Sequence, residues 1–270
     1  MAKFFNYKDI DFRINGSIFY AEQVSLSAQA SVEPVILSDG TFLNYAPKGA
    51  VVGSLSCDFY LNGSFPSFLD VTSTDESAVT VSFAGITISN VFLKNVSFSV
   101  EPFQPVLISA EFDWYSNILF ENMKEQSNSA RQSKTIPSYI AHSYKSYIDQ
   151  SNFYPDDPND SLGNVVSFSY STSCDRPIFL KVDQTIPFRC AKLNKNISVD
   201  LSANNLGKIV TTKGKNISTV IYLKDFYGQS LSTFSINGVM TSQSYSVSSG
   251  NYMLSQASME KIVTEEKVLV

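Results

Sequence analysis

One alternating stretch that occurs twice constrains this chain more than any other feature. Residues 24–37 read VSLSAQASVEPVIL and residues 166–180 read VSFSYSTSCDRPIFL. A single inserted residue, Arg176, aligns the copies from end to end. Val24 falls on Val166, Ser25 on Ser167, Leu26 on Phe168, Ser27 on Ser169, Ser31 on Ser173, Glu33 on Asp175 and Pro34 on Pro177. In both copies apolar and polar residues alternate, the period of a strand with one buried and one wet face. Each copy then runs into an acidic residue, a proline and a second apolar run. Proline cannot donate to a ladder, so Pro34 and Pro177 are expected at the corner between two strands.

Further correspondences keep the same order in both halves. Residues 52–61 (VGSLSCDFYL) resemble 197–206 (ISVDLSANNL). Phe98-Ser99-Val100, with Ile108-Ser109 beyond, resembles Tyr245-Ser246-Val247 with Leu254-Ser255. Gly85 and Gly238 each stand shortly before these segments. Internal similarity in a conserved order is the signature of a duplicated structural unit. The length of 270 residues suits two domains on a prior of about 150 residues each. The expected division is a first β domain over 1–118, a linker with a short helix over 119–161, and a second, related β domain over 162–270.

Composition points to the same class. Twenty Phe and 14 Tyr stand against one Trp, and charged residues make up only 17%. A surface of Ser, Thr, Asn and Gln over aromatic and β-branched strands is all-β in character. The expected fold is two tandem related β-barrel or sandwich domains, and both architectures give the same alternation.

Along the chain, FRING at 12–16 reads as a strand closing in an Asn-Gly turn, with 17–20 returning from it. Strands are expected at 51–61, 79–83, 86–91, 96–100 and 106–115, and in the second half at 220–226 and 233–236. Turn signals stand at Leu206-Gly207, Lys213-Gly214, Asn237-Gly238 and Gly250-Asn251. A long hairpin loop at 38–49 carries Phe42, Leu43 and Tyr45, although loop tips are normally polar. The matching region of the second half carries Ile186 and Phe188 beside Pro187. These five residues are the candidate subunit interface. In the linker, Ile140, Tyr144, Tyr147 and Ile148 fall on one helical stripe after Pro137. Pro155 to Asp160 reads as a stiff acidic spacer.

Several chemistries find no support in the residues. A net charge of −5 lacks the clustered Lys and Arg that phosphate contacts need. The three cysteines, Cys57, Cys174 and Cys190, have no CxxC spacing and read as buried reduced thiols. The one histidine, His142, lies in the expected linker helix without a nucleophile signature beside it. No HExxH, P-loop, GxGxxG or EF-hand loop occurs, so no catalytic residue, cofactor or metal is expected. The N-terminus has no signal-peptide apolar region, and no apolar run approaches the ~20 residues of a membrane span.

The FRING strand, the VSLSAQASVEP stretch, the long loop and the VGSLS strand together resemble tail tube proteins of bacterial viruses and the tube-like domains of tail hubs. That resemblance is clearest over residues 12–61 and covers both halves loosely. It implies a small β-barrel or sandwich with a flanking helix and a protruding loop, six such domains forming each ring. A chain carrying two copies would build the ring from three subunits with pseudo-sixfold symmetry. It further implies a virion protein, made in the cytoplasm of an infected bacterium, whose partners are itself and other tail proteins, with DNA as passing cargo. The resemblance carries no catalytic or binding residue, and 116–161 departs from a plain duplication. The other reading is a two-domain β-sandwich adhesin or carbohydrate-binding module, motivated by the Tyr and Asn content.

Overall fold

Asn15 and Gly16 both take positive φ, 50° and 79°, and join β1 (Phe12–Ile14) to β2 (Ser17–Phe19). This is the two-residue turn whose twist matches that of paired strands, and Asn-Gly is the sequence that adopts it most readily. The computed structural model describes residues 11–29, 32–49, 52–61, 65–70, 78–101, 104–115, 119–120, 147–148, 165–182, 186–187, 189–204, 216–224, 230–249 and 254–263. The chain is all-β. Its strands continue as β3 (Ala21–Gln29), β4 (Val32–Ile36), β5 (Phe42–Pro47), β6 (Val52–Tyr60), β7 (Val79–Phe83), β8 (Ile86–Val100) and β9 (Leu107–Trp114). After β10 (Leu119–Phe120) and β11 (Tyr147–Ile148) come β12 (Val165–Cys174), β13 (Ile178–Phe179), β14 (Arg189–Cys190), β15 (Lys195–Asn204), β16 (Asn216–Lys224), β17 (Ser230–Ser246) and β18 (Leu254–Val263).

All pairings are antiparallel, and they follow one order twice. In the first half β3 pairs β6, β6 pairs β9, β9 pairs β8 and β8 pairs β7. In the second half β12 pairs β15, β15 pairs β18, β18 pairs β17 and β17 pairs β16. A small hairpin separates the first two strands of each set, β4–β5 in one and β13–β14 in the other. β8 also pairs β12, so both sets belong to one continuous sheet. Their buried faces form one core, in which Leu55, Phe59, Phe112 and Trp114 of the first set join Phe168, Val199, Leu201 and Met259 of the second. Burying each large side chain contributes about 1.5–3 kcal/mol.

Bulges fix how the two sets superpose. The β3·β6 ladder shifts between Ala21 and Gln23, and the β12·β15 ladder shifts between Val165 and Ser167. The β8·β9 ladder shifts between Leu93 and Asn95, and the β17·β18 ladder between Met240 and Ser242. Matching the first pair of bulges places Leu26 on Tyr170 and, through their ladder partners, Leu55 on Val199. Matching the second pair places Phe98 on Tyr245 and Phe112 on Met259. The two matches agree, because Leu55 pairs Phe112 and Val199 pairs Met259.

This superposition corrects the sequence alignment in two places. The first repeat slides by two residues, which keeps every side chain on its face. The 52–61 match slides by one, so Gly53 answers to Ile197, where the sequence pairing had set Val52. A one-residue slip exchanges faces, and burial of Leu55, Val199 and Leu201 decides for the structural register.

Other expectations also change. Residues 86–91 and 96–100 belong to one strand, β8, because Asn90 (φ 52°) and the shift near Lys94 absorb the irregularity as bulges. Asn237-Gly238 is no turn. Both lie inside β17, and a Cβ at Gly238 would stand 2.7 Å from the Glu260 carbonyl oxygen, so only glycine permits that approach. Pro34 lies within β4 opposite Tyr45, not at a corner; on a two-stranded hairpin its missing N–H need not break a central ladder. Pro177 immediately precedes β13. Tyr147 and Ile148, expected on a helix, form β11 and pair Tyr222 and Ile221 of β16. Aromatic and β-branched residues suit that pairing. Ile140, Tyr144 and His142, the acidic spacer, and Gly207, Gly214 and Gly250 lie outside the described residues.

Gly53 faces Trp114 across the β6·β9 ladder, and a Cβ there would fall onto the indole ring. Gly53→Ala is therefore expected to lower stability by roughly 1–3 kcal/mol through overpacking, read as a lower urea midpoint. An unchanged midpoint would show that the indole moves aside at no cost.

Candidate functional site

An antiparallel sheet must end somewhere, and each end presents a row of unpaired N–H and C=O groups. Here the ends differ in a way the repeated order makes visible. β8 has β9 along one edge; its other edge carries β7 along residues 86–91 and β12 along residues 95–100. β17 has β18 along one edge, and β16 stops at Val239 on the other. Among the described residues, nothing pairs that second edge from Met240 to Ser246. At the far end, β3 pairs only β6 among the described residues.

The filled position shows what such a junction looks like. Val100 pairs Phe168, Phe98 pairs Tyr170 and Val96 pairs Thr172. The Phe98 ring stacks on Tyr170 at 5.1 Å and meets Phe168 edge-on at 6.0 Å. The chain leaving β12 continues the contact. Arg176 donates from Nε to the Leu93 carbonyl oxygen at 2.8 Å, and its guanidinium lies 5.6 Å from the centre of the Phe92 ring. Cys174 Sγ approaches the same carbonyl oxygen at 3.3 Å. Cys190, on the second hairpin, is hydrogen-bonded to Tyr115 at the end of β9.

Burial sets the electrostatics of this junction. It pushes the Tyr170 phenol and the Cys174 thiol upward and the Cys190 thiol to about 11. It lowers Lys192, helped by the neighbouring cations Arg176 and Lys195. Desolvation raises Asp113, and Lys94 at 3.5 Å opposes that shift. Protonated, buried thiols are poor nucleophiles and poor metal ligands. Among the described residues, no group of three or more His, Cys, Asp or Glu is placed to hold a metal ion. No helix among the described residues is long and apolar enough to cross a membrane. The arrangement is suited to strand addition.

The candidate interface residues sit on the two hairpins. Phe42, Leu43 and Tyr45 lie on β5, all exposed. A bulge at Leu43, where Val35 pairs Asn44 and Ile36 pairs Phe42, brings the Phe42 and Tyr45 rings edge-on at 5.1 Å. Ile186 is exposed in the loop between β13 and β14. Phe188 lies outside the described residues. The hairpins hold equivalent places in the two halves, so these residues do not form one cluster. Sequence reasoning missed the open edges themselves and two apolar residues beside them, Val247 and Ile262. The signal available was the match of Val247 with Val100, which pairs Phe168 in the filled junction.

No protein-family model and no curated protein sequence matches the chain.

Cys57 supplies a test of the buried thiols. Burial, with Asp58 beside it, raises the thiol from 9.0 to about 12. The unfolded chain then loses this proton first, so stability falls as pH rises from roughly 9 toward 12, by up to about 1.4 kcal/mol per pH unit. Cys57→Ser is expected to flatten the alkaline fall of the urea midpoint by one proton's worth. An unaltered slope would assign the fall to other groups.

Proposed function

We propose that the chain is a structural virion protein that self-assembles into rings, forming the tail tube of a bacterial virus or its distal, hub-like end. The observation that carries the reading is the doubled ladder: one junction is filled within the chain, and among the described residues the matching edges of β3 and β17 have no partner strand. A head-to-tail contact between different surfaces closes into a ring when its rotation permits. With two ladder units per chain, three chains give a ring of six units. The resemblance of residues 12–61 to tail tube proteins points to the same architecture.

The wet face of the sheet suits a conduit. Serine rungs cross it: Ser27 hydrogen-bonds Ser54 at 2.7 Å, and Ser97, Ser109, Ser171 and Ser198 stand in register. Uncharged hydroxyls and a net charge of −5 give passing DNA little to adhere to. The exposed β4–β5 hairpin serves as a contact to a neighbouring subunit or ring.

A second reading, the adhesin or carbohydrate-binding module, draws on one feature. An open groove crosses β8, β12, β15 and β18, lined by Asn95, Ser97, Ser171, Asn196, Ser198 and Glu260 together with the apolar Val96, Ile197 and Ile262.

Negative-stain microscopy over a concentration series separates the readings. Rings or tubes with a central hole and threefold or sixfold symmetry are expected, and Phe42→Ser with Leu43→Ser is expected to reduce them. Dispersed monomers together with binding on a glycan array would favour the second reading.

A further inference from the structure

We propose that β3 and the β4–β5 hairpin of one chain dock on β17 and β18 of a second copy, reproducing the internal junction of β12 and the β13–β14 hairpin on β8 and β9. The inference rests on the self-assembly part of the functional reading and adds the surfaces, the partner and the register.

The register follows from the bulge-matched superposition. Internally, Val100 pairs Phe168, Ser99 pairs Ser169, Phe98 pairs Tyr170 and Ser97 pairs Ser171. The equivalent pairs between copies are Val247 with Val24, Ser246 with Ser25, Tyr245 with Leu26 and Ser244 with Ser27. Every pair joins residues of like character. Val24 and Leu26 already pack partly against the core, so the new rungs extend the buried face and leave the serines on the wet one.

Exposure at equivalent positions indicates what is missing. Val100 is 3% exposed beneath β12, whereas its counterpart Val247 is 72% exposed. Tyr115, against the second hairpin, is 4% exposed; its counterpart Ile262 is 68% exposed. Carried across the hairpin ladders, where Ile178 pairs Cys190 and its counterpart Pro34 pairs Tyr45, the counterpart of Cys190, which touches Tyr115, is Tyr45 on the first hairpin. That hairpin carries exposed Val32, Ile36, Phe42, Leu43 and Tyr45. Each bare residue on β17 and β18 thus has a complement on β3 or its hairpin. Within the chain β3 pairs β6 and the Met240–Ser246 stretch of β17 pairs β18, and the two do not pair each other, with β6, β9, β8, β12, β15 and β18 between them on the ladder. The occupant assigned to each is another copy.

Mixing two single variants tests the junction. Ser25→Cys and Ser246→Cys substitute exposed serines, and the native thiols are buried. Under mild oxidation the mixture is expected to form a covalent dimer at least ten times faster than either variant alone. The double variant is expected to give a series of chain multiples ending at the ring. A second pair, Tyr45→Cys with Ile262→Cys, reads the hairpin contact independently and is expected to cross-link as well. Rings by microscopy without cross-linking above the single-variant background in either pair would overturn the junction and leave the assembly reading standing. Cross-linked open chains without rings would support the junction and sink the ring. No assembly and no cross-linking would overturn both.

Discussion

The unsatisfied edge of an antiparallel sheet governs this molecule. Each strand added to a ladder satisfies one row of backbone groups and exposes another, so a sheet without closure always carries the problem forward. This chain solves it once, where β12 covers the free edge of β8. The same solution is geometrically available at the other end, where β17 offers Met240 to Ser246. The ladder therefore has a direction, with a donor strand at its start and an acceptor edge at its finish.

Direction alone does not give a defined partner; register does. A strand can add to an edge in many offsets, and an odd slip turns its apolar side chains to water. Here irregularities pin the offset. The bulges near Glu22 and Val166, and those near Lys94 and Thr241, recur at matching places and agree on one superposition. Bulges bend the strand and raise its local twist, which also limits where a straight strand can pair. The rungs then sort themselves, with Phe98 on Tyr170 toward the core and Ser97 on Ser171 toward water.

Much of this was legible in the residues. The Asn15-Gly16 turn and the alternating strands of the first half follow from short-range chemistry, whereas Phe42, Leu43 and Tyr45, expected in a long loop over 38–49, lie on strand β5 paired with β4. The match of Phe98 with Tyr245 was also readable. The slip at 52–61 was not, because Gly53 against Trp114 breaks the apolar-polar pattern that an alignment by eye follows. β8 looked like two strands because Asn90 and Lys94 resemble breaks, and only the ladder on both sides shows them as bulges. Gly238 resembled a turn glycine for a similar reason: composition does not distinguish φ freedom from close approach to Glu260. The stripe ending at Tyr147 and Ile148 met a helical period by spacing, whereas those two residues pair β16. Open edges have no residue signature of their own, since a strand reads the same whether one or both sides are paired.

The two hairpins differ in a way the proposed assembly explains. The internal one is tethered, so its docking is intramolecular and starts from a high effective concentration. It can rely on directional contacts such as Arg176 to the Leu93 carbonyl oxygen and Cys190 to Tyr115. At the place of Arg176 the first hairpin has Val32, and its neighbours Ile36, Phe42, Leu43 and Tyr45 are apolar and exposed. A contact between separate chains must overcome lost translational and rotational freedom, and buried apolar area is the main source of that free energy. The inner hairpin also exposes Phe179, Leu180, Val182 and Ile186, so the difference lies in its polar anchor, which is the asymmetry expected when one junction forms within a chain and its copy forms between chains.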